Sequence, residues 1–212
     1  VNGNYSTVCS CPIEMLQATI GAFYGQQILA KGNIVSRRFE PKTVICSRNP
    51  HVTMGNVLVT ENVHNELIEK YMNLTNEIVV INTINENIMQ RMSGMDMDSD
   101  TMLITDNEIL IRAGQRNYDK FLVPTNLINP EKKNVEYTPQ NLARLDNDTS
   151  ENYIGQIINF SQVLNSYYWD CKNNNIDIDY DDLYKDICQL DCMSGVEIDK
   201  AKKDFGTLKN AR

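Results

Sequence analysis

Asp96, Asp98 and Asp100 alternate with Met97 and Ser99 in the run Met92-Ser93-Gly94-Met95-Asp96-Met97-Asp98-Ser99-Asp100-Thr101-Met102-Leu103-Ile104. No basic residue lies within this run. Carboxylates crowded this closely repel one another, so solvent or a cation must neutralise them. Mg²⁺ and Ca²⁺ are the natural partners, because hard divalent cations prefer carboxylate oxygens. The chemistry most often built on such a centre is phosphoryl or nucleotidyl transfer. Three arrangements fit the residues alone. The first is an Asp-rich turn, held by side-chain to backbone hydrogen bonds. The second is a calcium loop of the EF-hand kind, in which Asp96, Asp98 and Asp100 take the first, third and fifth positions. Thr101 then stands where the sharp turn needs Gly, and Asn107 where the last ligand is normally Glu. The third is a catalytic metal site in an extended or tightly turned loop, with positions left for phosphate oxygens and a 3′-hydroxyl.

The surrounding segments must position that loop. Short runs rich in β-branched residues read as strands: 33–36, 43–46, 56–60, 77–81, 102–105 and Glu108-Ile109-Leu110-Ile111. Lys31-Gly32-Asn33, Met54-Gly55-Asn56 and Asp106-Asn107 supply turn chemistry between them. Pro12 opens a helix through Ile20, and a short helix is expected at 64–71. Strands this short and this closely spaced predict a compact barrel rather than a doubly wound sheet. Beyond Tyr137 the character changes. Thr138-Pro139 reads as an N-cap followed by Pro at the first helical position. Ile154, Ile157, Ile158, Ser161, Leu164 and Tyr168 fall largely on one helix face. Leu183, Ile187, Cys188 and Leu190 mark more helix within 181–203, and the Asn- and Asp-rich stretch 171–182 reads as a surface loop. The expected fold is α+β: a β-rich barrel over 1–136 with inserted short helices, then a helical region over 137–212.

With 212 residues, 42% hydrophobic and 23% charged, the chain has the composition of an ordinary globular protein with one sizeable core. No apolar run approaches the roughly 18–20 residues of a membrane span, so no membrane association is expected. The opening Val1-Asn2-Gly3-Asn4-Tyr5 has neither the basic nor the apolar region of a secretory leader, and no initiator Met. A segment of a larger cytoplasmic protein is therefore expected. The net charge of −8, taken alone, argues against tight nonspecific nucleic-acid binding by the chain's own field. Cys9, Cys11, Cys46, Cys171, Cys188 and Cys192 are expected to be reduced thiols. The spacings Cys9-x-Cys11 and Cys188-x-x-x-Cys192 suit zinc poorly, and buried small hydrophobes are the plainer reading.

A second motif lies upstream: Ser47-Arg48-Asn49-Pro50-His51-Val52-Thr53-Met54-Gly55-Asn56. Together with the Asp loop it resembles the catalytic double-psi β-barrel of the two-barrel RNA polymerases, and among them the cellular RNA-dependent RNA polymerases of RNA silencing. Those enzymes carry an Arg-Asn-Pro-x-x-x-x-Gly-Asp segment and then a Ser-Gly-x-Asp-x-Asp-Gly-Asp loop. The matching residues here are Arg48, Asn49, Pro50 and Gly55, then Ser93, Gly94, Asp96, Asp98 and Asp100. Asn152-Tyr153-Ile154-Gly155-Gln156-Ile157 and Val196-Glu197-Ile198-Asp199-Lys200-Ala201-Lys202 resemble two later family elements more weakly. Two departures stand out: Ser99 replaces the family's Gly within the loop, and Asn56 replaces the acidic residue after Gly55.

The resemblance implies a double-psi-like barrel and a nucleotidyltransferase. Asp96, Asp98 and Asp100 would be its catalytic residues and would hold Mg²⁺, or Mn²⁺ in its place. Arg48, Asn49 and Pro50 would face substrate, with Arg48 near the ribose of the incoming nucleotide or the primer end. The implied partners are nucleoside triphosphates, an RNA or DNA template, and a second, lysine-bearing barrel in the same longer chain or a partner subunit. Without that barrel the isolated chain is expected to be inactive. The helix over 154–169 would line the cleft. Plain readings stand beside these: a surface salt bridge for Arg48, close helix packing for Gly155, an exposed i,i+3 pair for Asp199 and Lys202. A noncatalytic barrel scaffold or regulatory binding module, or a calcium-stabilised domain, would account for the same residues in another way.

Overall fold

A computed structural model describes residues 2–125, 135–150 and 152–200. The chain divides into two compact units, 1–123 and 124–212.

The first unit is a closed barrel of six strands: β1 (Asn4–Cys9), β2 (Ile34–Ser36), β3 (Lys42–Ser47), β4 (Leu58–Asn62), β5 (Ile78–Ile81) and β6 (Thr101–Thr105). Around the wall the order is β1-β5-β2-β4-β3-β6, and β6 returns to β1. The pairs β1–β5 and β2–β4 are parallel and the rest antiparallel. With the helical region that follows, this is the α+β architecture expected, a closed β-barrel and then helices. Val8, Ile34, Val44, Leu58, Met102 and Ile104 fill the barrel interior. Val35 and Val80 point the other way, into a second cluster with Leu29, Ile68 and Leu74. Strands β2 and β5 are thus buried on both faces, which is why 34–35 and 78–81 read as unbroken apolar runs rather than alternations. Helix α1 (Pro12–Thr19) begins on its proline. Helix α2 (Glu66–Tyr71) begins on Asn65, whose side chain accepts the Ile68 N–H.

Three features depart from the expectations. Strand β1 was not anticipated, because its inward residues are Ser6 and Val8, and a polar inward position breaks the alternation. Helix α3 (Ile88–Arg91) is a single turn ahead of the Asp loop. The run Glu108-Ile109-Leu110-Ile111 is not a strand; it opens helix α4 (Glu108–Asn117). Asn107 decides the matter: its side-chain oxygen accepts the N–H groups of Ile109 and Leu110, so the turn expected at Asp106-Asn107 is an N-cap. Helix α4 packs on β3 and β4 through Gly114, where an added Cβ would lie 2.7 Å from Ile45 Cδ1 and 2.8 Å from Val59 Cγ2. Any larger residue at that position would displace the Ile45 and Val59 side chains.

The second unit contains α5 (Pro139–Ser150), α6 (Ile154–Asn173) and α7 (Tyr180–Asp199). Thr138 caps α5, its hydroxyl accepting the Asn141 N–H. Helix α6 buries Ile157, Ser161, Tyr168 and Cys171, and α7 buries Tyr184, Ile187, Ser194 and Val196. Cys171 therefore belongs to the helix core, and the loop expected over 171–182 shrinks to the link between Asn173 and Tyr180. Among the described residues, no helix is long and apolar enough to cross a membrane.

Candidate metal centre

The Asp loop runs from the end of α3 to the start of β6. Its methionines and aspartates take opposite sides. Met92 and Met95 are buried in the barrel interior, and Met97 packs against the same core. Asp96 and Asp98 are exposed, and the Asp100 side chain retains 20% of its accessibility. The alternation of Met and Asp is thus an anchoring pattern: apolar residues fix the loop while the carboxylates face outward. Ser93, Gly94 and Ser99 adopt positive φ of 56°, 68° and 103° and give the loop its sharp bends. At its far end the Asp100 carbonyl accepts the Val8 N–H from β1.

One carboxylate oxygen from each of Asp96, Asp98 and Asp100 lies within 4.8 Å of the others. Ligand oxygens around one cation at about 2.0–2.6 Å stand up to roughly 4–5 Å apart, so the donor set and spacing fit a hard divalent ion. The loop is also braced internally. The Asp96 N–H donates to Asp100 Oδ2 at 2.9 Å, and the Asp98 N–H to Asp96 Oδ1 at 3.2 Å. Strand β6 follows the loop directly, where an EF-hand would continue as a helix.

The positive charge missing from the local sequence arrives from the other motif. Arg48, directly after β3, donates from Nη2 to Asp100 Oδ1 at 2.7 Å and from Nη1 to the Ser93 carbonyl at 3.0 Å. Its guanidinium spans the two ends of the loop. This contact is no peripheral surface pair: the Arg48 and Asp100 side chains keep 18% and 20% of their exposure. Asn49 is exposed and Pro50 half-buried, and the peptide between them is cis.

Asn56 has a role the sequence did not reveal. It is fully buried. Its Oδ1 accepts the Thr53 N–H at 2.9 Å and the Thr53 hydroxyl, while its Nδ2 donates to the Gln90 and Arg91 carbonyls at 3.4 and 3.3 Å. Asn56 therefore ties the turn after Pro50 to the helix that leads into the Asp loop. A carboxylate in its place would confront two carbonyl oxygens without a donor. The spacing of Thr53 and Asn56 was the only signal available, and it is a common turn pattern.

The later motif segments meet each other in the second unit. The Tyr153 N–H, at the start of α6, donates to Glu197 Oε1 at 3.1 Å, and Lys200 Nζ stands 3.5 Å from the same oxygen. Around Gly155 a Cβ would meet nothing within 4 Å, so helix packing does not require glycine there. Lys202 lies outside the described residues, and with it the expected pair to Asp199. All six cysteines are free thiols. Among the described residues, the Asp loop is the one group of His, Cys, Asp and Glu side chains arranged to hold a metal.

No known family model matches the chain, and no characterised protein matches its sequence. Among solved structures it is similar to the RNA-dependent RNA polymerase QDE-1 from Thielavia terrestris, with a TM-score of 0.47 and 14% identity over 95% of this chain and 22% of that one. The chain thus spans about a fifth of the length of that polymerase.

Proposed function

We propose that this chain is the metal-binding catalytic barrel of an RNA polymerase-like nucleotidyltransferase, adding nucleotides to a 3′-hydroxyl. The observation that carries the reading is the junction of two motifs far apart in sequence: Arg48 holds both the Asp100 carboxylate and the Ser93 carbonyl. A turn rich in aspartate for solubility alone has no need of a half-buried arginine across its ends.

In this reading Asp96, Asp98 and Asp100 hold Mg²⁺ or Mn²⁺. The bound cation supplies a lowered hydroxyl pKa and neutralises charge on the phosphoryl group in transfer. The protein's own residues do the positioning. Methionines fix the loop from beneath, Arg48 sets the separation of its ends, and Asn56 holds the turn that carries Arg48. Arg48 has further N–H groups with which to meet a ribose or primer hydroxyl, beside Asn49 and Pro50. Nucleoside triphosphates and an RNA or DNA template are the proposed partners. The positive field they require comes from a second, lysine-bearing barrel.

The test is nucleotide incorporation by the protein in its full-length native context, with Mg²⁺ or Mn²⁺ and single-stranded templates, beside the Asp98→Ala/Asp100→Ala double variant. The wild type should synthesise on a template, and the variant should lose at least about a thousandfold in rate, as removal of charge-stabilising groups typically does. A well-folded parent with no synthesis on any template, and with melting indifferent to metal in both forms, would turn the assignment to a noncatalytic scaffold.

A further inference from the structure

We propose that the cavity between α4 and the outer barrel wall is a second ligand site, for a small molecule with an apolar body and one anionic group. The cavity has a volume of about 340 Å³, within the range of small-molecule pockets. Ile45, Met54, Val57, Leu103, Leu110 and Ala113 supply most of its apolar wall. At one side stand Arg91 and Tyr118, with His51 and Asn117 as further polar groups.

Arg91 gives the site its charge preference. The residue is 5% exposed, yet it is the only charged group in the lining, which contains no carboxylate among the described residues. Its guanidinium lies over the Tyr118 ring, 4.3 Å from the centroid. Its salt-bridge partner, Asp119, has a side chain 69% exposed, so that charge is spent largely on solvent. Arginine carries five N–H donors in a fixed fork, and among the described residues the Asp119 carboxylate is the one acceptor this side chain meets. A nearly buried guanidinium so sparsely paired is costly, and an anion in the cavity would provide a charge-assisted partner. Burial also holds the His51 imidazole below its usual pKa, against a backbone hydrogen bond at Thr53.

The site is separate from the carboxylate loop but shares its supports. Ser47, in the lining, precedes Arg48, and Arg91 leads through Met92 to Ser93. Occupancy would therefore bear on the contact between Arg48 and the Ser93 carbonyl. The inference does not depend on nucleotidyl transfer, since its test is binding.

Naphthalenesulfonate is a suitable probe, followed by the shift of the ¹³C-labelled Met54 methyl group in the intact chain, with uncharged naphthalene as control. The sulfonate should bind saturably, at least about tenfold more tightly than naphthalene, consistent with one charge-assisted contact. Arg91→Gln should remove that preference. Ala113→Phe, on the exposed side of α4, should abolish binding by filling the mouth, and it carries the test if Arg91→Gln fails to fold. Asp98→Ala should bind the probe as the wild type does. An unmoved Met54 signal, equal binding of the two probes, or undiminished binding by folded Ala113→Phe would each overturn the proposal.

Discussion

Ser99 holds a φ of 103°, a region in which a β-carbon crowds the backbone. The bend is kept here with serine, whose side chain bears the torsional strain. Ser99→Gly should therefore stabilise the folded chain by about 0.5–1 kcal/mol, the relieved strain exceeding the entropy glycine adds to the unfolded state. A urea unfolding midpoint that fell instead would show that the Ser99 side chain contributes more than its torsion costs. At this scale the carboxylates of the candidate centre were legible, because three acidic residues at alternate positions admit few explanations. Their counter-charge was not: Arg48 lies 52 residues from Asp100, and no local pattern joins them. Asn56 stands out in the sequence only as a departure from an acidic pattern, whereas its amide donors make it the joint between the two loops.

Among elements, the strands buried on both faces were the most legible, because β2 and β5 present unbroken apolar runs. Strand β1 was hidden by its inward-facing Ser6. Glu108-Ile109-Leu110-Ile111 misled because four residues cannot distinguish the two periodicities; the cap at Asn107 and the later positions Leu110, Ala113, Gly114 and Asn117, all lining one cavity, follow the helical spacing. In the second unit, helix α7 carries an evident cost. Burial pushes the Asp191 carboxyl up to about 6, so the folded state favours its neutral form. A folded pKa above the unfolded one means that stability is greatest below about pH 4. It falls as pH rises from about 4 to 6 and stays low above that. With partial solvent screening the loss is about 1–2 kcal/mol. Asp191→Asn should recover it above about pH 7 and change little below about pH 4, in chemical unfolding at both pH values. Equal gain at both pH values would assign the effect to packing rather than to charge.

For the whole molecule, the charge balance governs how it meets a polyanion. The 28 acidic residues outnumber the 20 basic ones, and the carboxylate loop adds local repulsion toward a phosphate backbone. The isolated chain should bind single-stranded RNA only weakly at physiological salt, with a Kd above about 10 µM. Fluorescence anisotropy checks this, and tight, salt-sensitive binding would mean that the chain carries its own nucleic-acid channel. The closed barrel has a further consequence, in the order of synthesis. Strand β1 aligns Thr7 with Ile78 on one side and Asn4 with Ile104 on the other. On a ribosome it emerges before the other five barrel strands and lacks both its wall partners until β5 and then β6 follow it, at about 5–20 residues per second. The last strand to arrive both shuts the cylinder and sets the end of the carboxylate loop, whose Asp100 carbonyl accepts the Val8 N–H.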